Sequence, residues 1–217
     1  MKFFSLDSPF SRALSFIGDI LILNIIFLVC CIPGVTAGAS AAALYTVAMR
    51  MAAKDDRGVV KPFFRAFAQN FKKATVIWLI FLLAGAVIAY GIMVIYLNSA
   101  QFPWIIKAVY VLVTFVYFVG LSWVFPLQAK FENTVKMTIK NSFIIGFSHP
   151  GKTVVIMILM LVPAITALFF TYYFLAGGFV WLMFGFAGIA ILRSMVINKV
   201  FQPLIEKNET DNDTESL

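Results

Sequence analysis

The chain has 217 residues, of which 62% are hydrophobic and only 12% are charged, with a formal net charge of +7. Soluble globular proteins are about 45–50% apolar and about 25% charged, so this composition excludes a soluble globular domain. Residues 74–97 contain no Asp, Glu, Lys, Arg or His, and one helical span needs about 20 apolar residues. The sequence therefore predicts an all-α integral membrane protein, because helices satisfy their own backbone polar groups in lipid.

Six hydrophobic segments follow one another along the chain. They lie at residues 17–32, 35–53, 74–97, 104–127, 153–175 and 178–200. No small-residue cleavage site follows the first segment, so we expect an uncleaved span there. The second segment is short and rich in small residues, and it either crosses the membrane or folds back as a half-span. We predict a polytopic helical bundle with about six membrane segments, or five full spans if residues 35–53 are re-entrant.

Polar and small residues within these segments form a first set of candidate functional positions. Ionisable groups are expensive at membrane depth and are for that reason often functional. Small residues spaced four apart let helices approach closely, and a helix broken at such a stretch can line a polar site. The candidate polar or packing site comprises Asp19, Asn24, Gly34, Thr36, Gly38, Ser40 and Arg193. Asp19 and Arg193 are both expected near the inner face, where they could pair.

Basic and aromatic residues alternate in the stretches that precede the spans. Phe63, Phe67 and Phe71 recur every four residues, and a similar apolar stripe follows in residues 131–147. This pattern predicts amphipathic helices in the membrane interface, with aromatic side chains in lipid and cations toward anionic head groups. The candidate lipid- or partner-binding residues are Lys61, Arg65, Lys72, Lys73, Lys136 and Lys140.

The distribution of charge predicts the orientation of the spans. The connections at residues 50–73 and 128–152 are strongly basic, whereas those at residues 98–103 and 176–177 carry no charge. Basic connections stay on the cytoplasmic side of a membrane. With six crossings both termini are cytoplasmic as well, whereas five crossings would place the N-terminus outside.

The order of these pieces suggests one unit used three times, an amphipathic helix followed by two hydrophobic helices, at residues 1–53, 58–127 and 129–203. The alternative is that basic and aromatic flanks simply accompany membrane spans. In either case we expect a single transmembrane domain over residues 1–203. The acidic tail at residues 206–217 is almost without apolar side chains and is expected to be disordered.

Side chains that carry catalysis or bind metals are sparse in this sequence. The two cysteines, Cys30 and Cys31, are adjacent in an apolar run, and the single histidine, His149, precedes a Pro-Gly turn. A second histidine, a nucleophile–base pattern and a glycine-rich phosphate loop are all missing. The sequence therefore predicts neither an enzyme nor a metal or cofactor site.

Two blocks of sequence resemble the YesL family of bacterial membrane proteins, a domain of unknown function. The first block is CIPGVTAGAS at residues 31–40 with ALY at residues 43–45, and the second runs through FFRAF and NFK at residues 63–72. The resemblance covers the chain up to about Pro203. It implies a bacterial plasma-membrane location and a link with carbohydrate utilisation, since genes of the family often neighbour sugar-uptake transporters. It implies no activity and no catalytic residues.

Two functions remain open from the sequence. The first is a non-enzymatic accessory or regulatory protein of carbohydrate uptake that acts through its basic cytoplasmic helices. Its expected partners are the bilayer with its anionic head groups and a sugar-transporter subunit or sensor protein, with no nucleic acid. The second is a small secondary transporter or channel with a polar site near Asp19, the stretch at residues 34–40, and Arg193.

Overall fold

Seven α-helices and one π-helical turn make up the part of the chain that the structure, a computed structural model, describes, namely residues 9–55, 58–170 and 181–215. In chain order they are α1 (Pro9–Cys31), α2 (Ala37–Ala52), α3 (Val60–Leu97), α4 (Trp104–Lys130), α5 (Val135–Ser148), α6 (Pro150–Phe170), the π turn (Trp181–Gly185) and α7 (Phe186–Glu215). These described residues contain no β-strand. The prediction of an all-α fold is therefore confirmed.

Four of the helices are long and apolar enough to cross a membrane, namely α1, α3, α4 and α7. The helices α5 and α6 bend by 109° at the break between them and make a fifth span if they are counted together. The expected helical membrane bundle is confirmed, with four to five candidate spans among the described residues rather than six.

The short helix α2 lies at the centre of the bundle. Its 16 residues reach about 24 Å, which is less than the roughly 30 Å of a bilayer's hydrocarbon core. Alanine side chains at positions 39, 42, 43 and 48 are fully buried. A Cβ atom at Gly38 would overlap the backbone oxygen of Ala74 and the Cβ of Trp78. The small residues therefore serve the close packing of α2 on α3.

The helix α2 runs in the same direction as α7. Arg193 lies over the Tyr45 ring, with 5.3 Å from its guanidinium carbon to the ring centre. One turn further along both helices, Asn198 Nδ2 donates to the Met49 carbonyl oxygen at 2.9 Å. Residue numbers thus rise together on the two helices, and α2 ends beside the basic segments of the chain.

The turn between α1 and α2 is held against α3. Gly34 has φ of +70°, which favours glycine, and its carbonyl oxygen accepts a hydrogen bond from Trp78 Nε1 at 3.0 Å. Trp78 is only five residues beyond Lys73, or about 8 Å along α3. If Lys73 marks the membrane boundary, the turn lies at a shallow depth. The helix α2 is not among the candidate spans, and so these number four to five among the described residues rather than six.

The predicted interfacial helix at residues 61–73 is not a separate helix. It is the first third of α3, which continues for 38 residues, or about 57 Å. Phe63 is fully buried, and Phe67 packs against the small core cluster of Ala39, Ala42 and Ala74. The expectation that this aromatic stripe faces lipid is wrong for these two rings, because α2 covers them.

The second predicted amphipathic segment does form a helix of its own, α5. Its buried side is small and polar and consists of Thr138, Ser142 and Gly146. A Cβ at Gly146 would overlap Val119 of α4, so the glycine allows α5 to lie directly on that helix. The prediction of a distinct helix in this stretch is therefore confirmed. Val135 and Ile139 of its apolar stripe also pack against the core, so the expectation that this stripe faces lipid is wrong for these two residues.

The last helix continues beyond the membrane segment to Glu215. Composition predicted a disordered tail at residues 206–217, and the backbone of the described part is instead helical. Pro203 lies inside this helix, and no glycine or proline follows it to end the helix. The threefold repeat remains a prediction.

Candidate functional site: a cavity at Arg193 and a basic surface

Most members of the predicted polar site have structural partners. Asn24 is fully buried on α1, where its Nδ2 donates to the Trp181 carbonyl oxygen at 3.2 Å. Its Oδ1 accepts from the Ala187 amide nitrogen at 2.9 Å. Asn24 thus ties α1 to the π turn and to the start of α7, where helix N–H groups would otherwise have no acceptor.

The residues around the turn between α1 and α2 also have local roles. Thr36 Oγ1 donates to the Cys30 carbonyl oxygen at 2.6 Å and so provides a hydrogen bond for one of the last carbonyl groups of α1. Gly34 forms the turn, and Gly38 allows the contact with α3. These three positions therefore determine the path of the chain rather than line a polar channel.

Arg193 is the member of the set with an environment that packing alone does not explain. Its side chain is 8% exposed, and its Nη2 donates to the Ser122 carbonyl oxygen at 3.0 Å. Its Nε is buried without a hydrogen-bond partner in the described part of the chain. An arginine at membrane depth costs at least about 2.5–3.5 kcal/mol, and a carbonyl and one aromatic ring offset only part of that.

The predicted pairing of Asp19 with Arg193 is not formed. Within the described residues, the salt bridge joins Arg50 Nε to Asp55 Oδ2 at 3.2 Å. Asp19 is half-buried on α1, and Arg193 uses Ser122 and Tyr45 in place of a carboxylate.

A cavity of about 400 Å³ adjoins Arg193. Its walls come from α1, α2, α3, α4, α6 and α7, and among the described side chains that line it Arg193 alone is charged. Ala37, Ala41 and Ala190 leave the space open, while the rings of Trp78 and Phe186 form much of the wall. The volume lies within the roughly 300–1,000 Å³ of small-molecule sites.

Two buried hydroxyl groups belong to residues next in the chain to residues that line this cavity. Ser40 Oγ on α2 and Ser194 Oγ beside Arg193 are fully buried and have no hydrogen-bond partner among the described residues. Buried polar groups are normally hydrogen-bonded, so each such atom calls for an explanation. Ser40 was predicted as a site residue, whereas Ser194 was not, since a serine next to an arginine carries no distinctive pattern.

The six predicted cationic residues are all exposed. They are Lys61, Arg65, Lys72, Lys73, Lys136 and Lys140. On α3 the first three share one face, because spacings of four and seven residues return to the same side of a helix. Lys73 lies on a neighbouring side of α3. On α5, Lys136 and Lys140 are four residues apart, and α5 itself contacts α3. These side chains form what we call the basic surface.

A polar network that sequence reasoning missed supports the basic surface from inside. Gln128 Nε2 donates to Asn70 Oδ1 at 2.9 Å, and Thr138 Oγ1 donates to Gln128 Oε1 at 3.2 Å. The network joins α3, α4 and α5, and with Lys73 and Lys130 it borders a polar cavity of about 380 Å³. Gln128 is 4% exposed, and a buried glutamine at the end of an apolar helix is the signal that could have indicated it.

The break between α5 and α6 has a polar link of its own. Trp123 Nε1 donates to Thr153 Oγ1 at 3.0 Å, and the same hydroxyl donates to the Gly146 carbonyl oxygen at 2.8 Å. The His149 backbone oxygen accepts from the Thr153 amide at 3.0 Å. The His149 side chain also lies at this break, where its Nδ1 is buried without a hydrogen-bond partner among the described residues.

Long apolar helices, a buried arginine and a basic end together define this chain as a multi-pass helical membrane protein. A family model described as "Protein of unknown function, DUF624" matches residues 20–92, which contain most of α1, all of α2 and most of α3. Over this third of the chain the protein is similar to that family. No curated protein and no solved structure matches the chain.

Proposed function

We propose that this protein is a non-enzymatic accessory or regulatory membrane protein of carbohydrate uptake, of the YesL type, in a bacterial plasma membrane. It acts through its basic surface, which binds a transporter subunit or a sensor protein beside anionic head groups. The match of residues 20–92 to a family of unknown function is consistent with the YesL resemblance. The sugar-related role rests on that resemblance alone.

The observation that carries the proposal is the exposure of all six cations at one end of a bundle. Each cation near an anionic leaflet contributes about 1 kcal/mol of attraction. The aromatic neighbours Phe64 and Phe71 are also exposed, at 48% and 40%. Because the buried network of Gln128 holds α3, α4 and α5 together, the cations belong to one rigid surface suited to a partner.

The fold also supports an orientation that differs from the one expected from six crossings. The basic surface and the C-terminus are cytoplasmic by the positive-inside rule. The helix α1 ends at the shallow turn beside Trp78. Followed from this turn toward its N-terminus, α1 passes Asn24, which contacts the π turn before α7. We therefore propose five crossings, with the N-terminus on the outer face.

The experiment that tests the function is sugar uptake in a bacterium from which the gene has been deleted. Uptake of a panel of labelled oligosaccharides is measured after complementation with the full chain, with Lys61→Gln/Arg65→Gln, or with Arg12→Gln/Lys107→Gln as a matched control. We expect the full chain and the control to restore uptake of at least one sugar, and the basic-surface variant not to. Unchanged uptake of every sugar on deletion would refute the proposal.

A small transporter is the second candidate, and the cavity at Arg193 favours it. The cavity touches six helices and lies beside the break between α1 and α2, an arrangement that resembles broken-helix sites in transporters. The two functions separate in proteoliposomes that contain only this protein. A transporter moves solute there and loses this activity on Arg193→Gln, whereas an accessory protein moves none.

A further inference from the structure

We propose that the cavity beside Arg193 is a binding site for an anionic amphiphile, a molecule with a phosphate or carboxylate head group and an apolar chain. The head group pairs with the Arg193 guanidinium, and the chain lies along the apolar walls. This site is independent of the basic surface and of the proposed accessory function.

The arginine supplies the first argument. It is more than nine-tenths buried, it lines the cavity, and its Nε has no hydrogen-bond partner within the described residues. A guanidinium has five N–H donors in a fork that matches the oxygens of a carboxylate or phosphate. Here Nη2 is bonded to a carbonyl oxygen, the ring of Tyr45 covers one face, and Nε is enclosed by protein, so the Nη1 group is the donor that remains for an anion.

The rest of the cavity supplies the second argument. Apart from Arg193, its described lining is dominated by apolar and aromatic side chains, which suit an alkyl chain better than a sugar or a free ion. Ala37, the first residue of α2, lies on the wall, so the positive end of that helix dipole also faces the space. A small hydrophilic anion would leave most of these walls without contacts.

The position of the cavity indicates how such a ligand reaches it. Arg193 bonds to Ser122 and shares the cavity wall with Trp78, which is five residues along α3 from the exposed Lys73. A membrane lipid therefore needs to move its head group only a short way to meet the arginine. A soluble amphiphile with the same chemistry would enter from the same leaflet.

The test uses the full chain in a mild non-ionic detergent and native mass spectrometry of bound ligand. The probes are dioleoyl-phosphatidylglycerol, dioleoyl-phosphatidylcholine, dodecyl phosphate and inorganic phosphate. We expect the two amphipathic anions to bind, the zwitterionic lipid to bind roughly tenfold more weakly or worse, and inorganic phosphate not to bind. Preference for the lipid over dodecyl phosphate, or the reverse, identifies the source of the ligand.

Variants distinguish this site from general attraction to anions. Arg193→Gln should weaken phosphatidylglycerol binding by about tenfold or more, and Arg12→Gln, an exposed cation of α1 outside the basic surface, should leave it unchanged. Because Arg193→Gln could impair folding, Ala41→Leu provides a second route, since it fills the cavity and keeps the arginine. Equal binding by wild type and both cavity variants, or equal binding of the two lipids, would overturn the proposal. Saturable binding of inorganic phosphate at the same affinity would also overturn it.

Discussion

Trp78 Nε1 donates a hydrogen bond to the carbonyl oxygen of Gly34 at 3.0 Å, and this bond ties the turn between α1 and α2 to α3. The two residues are 44 positions apart in the sequence, and their contact holds the turn before α2 against α3. Trp78 also forms part of the cavity wall at Arg193. The same contact therefore shapes both the path of the chain and the candidate ligand site.

Replacing Trp78 by Phe removes the bond to Gly34 and keeps most of the ring. We expect the variant to lose about 1 kcal/mol of stability, the net contribution of a typical hydrogen bond, and more if the Gly34 oxygen finds no water. Thermal unfolding in detergent measures the change. Trp104→Phe is the control, because Trp104 is 77% exposed, and it should unfold like the wild type.

Gly38 and Gly188 offer a matched pair of helical glycines. A methyl group at Gly38 would overlap backbone of Ala74, whereas a Cβ at Gly188 meets nothing within 4 Å. We expect Gly38→Ala to destabilise the bundle by roughly 1–3 kcal/mol, as overpacking does. Gly188→Ala should instead stabilise it by about 0.5–1 kcal/mol, because alanine is the better helix former. Unfolding curves that move in the same direction for both variants would contradict the close approach of α2 to α3.

Asn24 should be important for stability although it carries no charge. Asn24→Leu removes the bonds to Trp181 and Ala187 and leaves a buried amide without an acceptor, which costs about 1–3 kcal/mol. Asn98→Leu is the control, since Asn98 is exposed and bonds only to Val94 of its own helix. Protection of the Ala187 amide against hydrogen exchange reports the same interaction directly. An unchanged exchange rate in Asn24→Leu would show that the asparagine does not hold the start of α7.

The number of crossings can be tested independently of function. We expect a protease added to the outside of intact spheroplasts to remove an N-terminal epitope tag, and a C-terminal tag to be cleaved only in inverted vesicles. This result follows from five crossings with a cytoplasmic basic surface. Protection of both tags in spheroplasts would instead favour a second crossing by α2.

Composition and hydrophobic run length were enough to predict the helical class. The helices α3 and α4 end within a few residues of the predicted segments, because long apolar runs have one stable conformation in lipid. The sequence could not reveal that α2 stays at one end. The length of its apolar segment is compatible with a full crossing and with a half-span. The bond between Trp78 and Gly34, which holds the turn before α2 against α3, joins distant parts of the chain.

The candidate site was predicted only in part, for a related reason. Rarity at membrane depth singled out Arg193, which the structure places at a cavity. The same predicted set contained Asn24 and Gly38, whose surroundings are structural. Whether a polar residue in a span has a partner depends on tertiary packing, as the bond of Asn24 to Ala187 illustrates. The hidden network at Gln128 could not be found from spacing, because its three members belong to three helices.

The measurement that tests the central claim most directly is affinity capture of the full chain from native bacterial membranes in mild detergent, with quantitative mass spectrometry of what co-purifies. It compares the wild type with Lys61→Gln/Arg65→Gln and with Arg12→Gln/Lys107→Gln at equal abundance. We predict that a transporter subunit or sensor protein co-purifies in near-stoichiometric amounts with the wild type and the control and is lost from the basic-surface variant. Recovery of the protein alone, or equal recovery of the partner with both variants, would contradict the account.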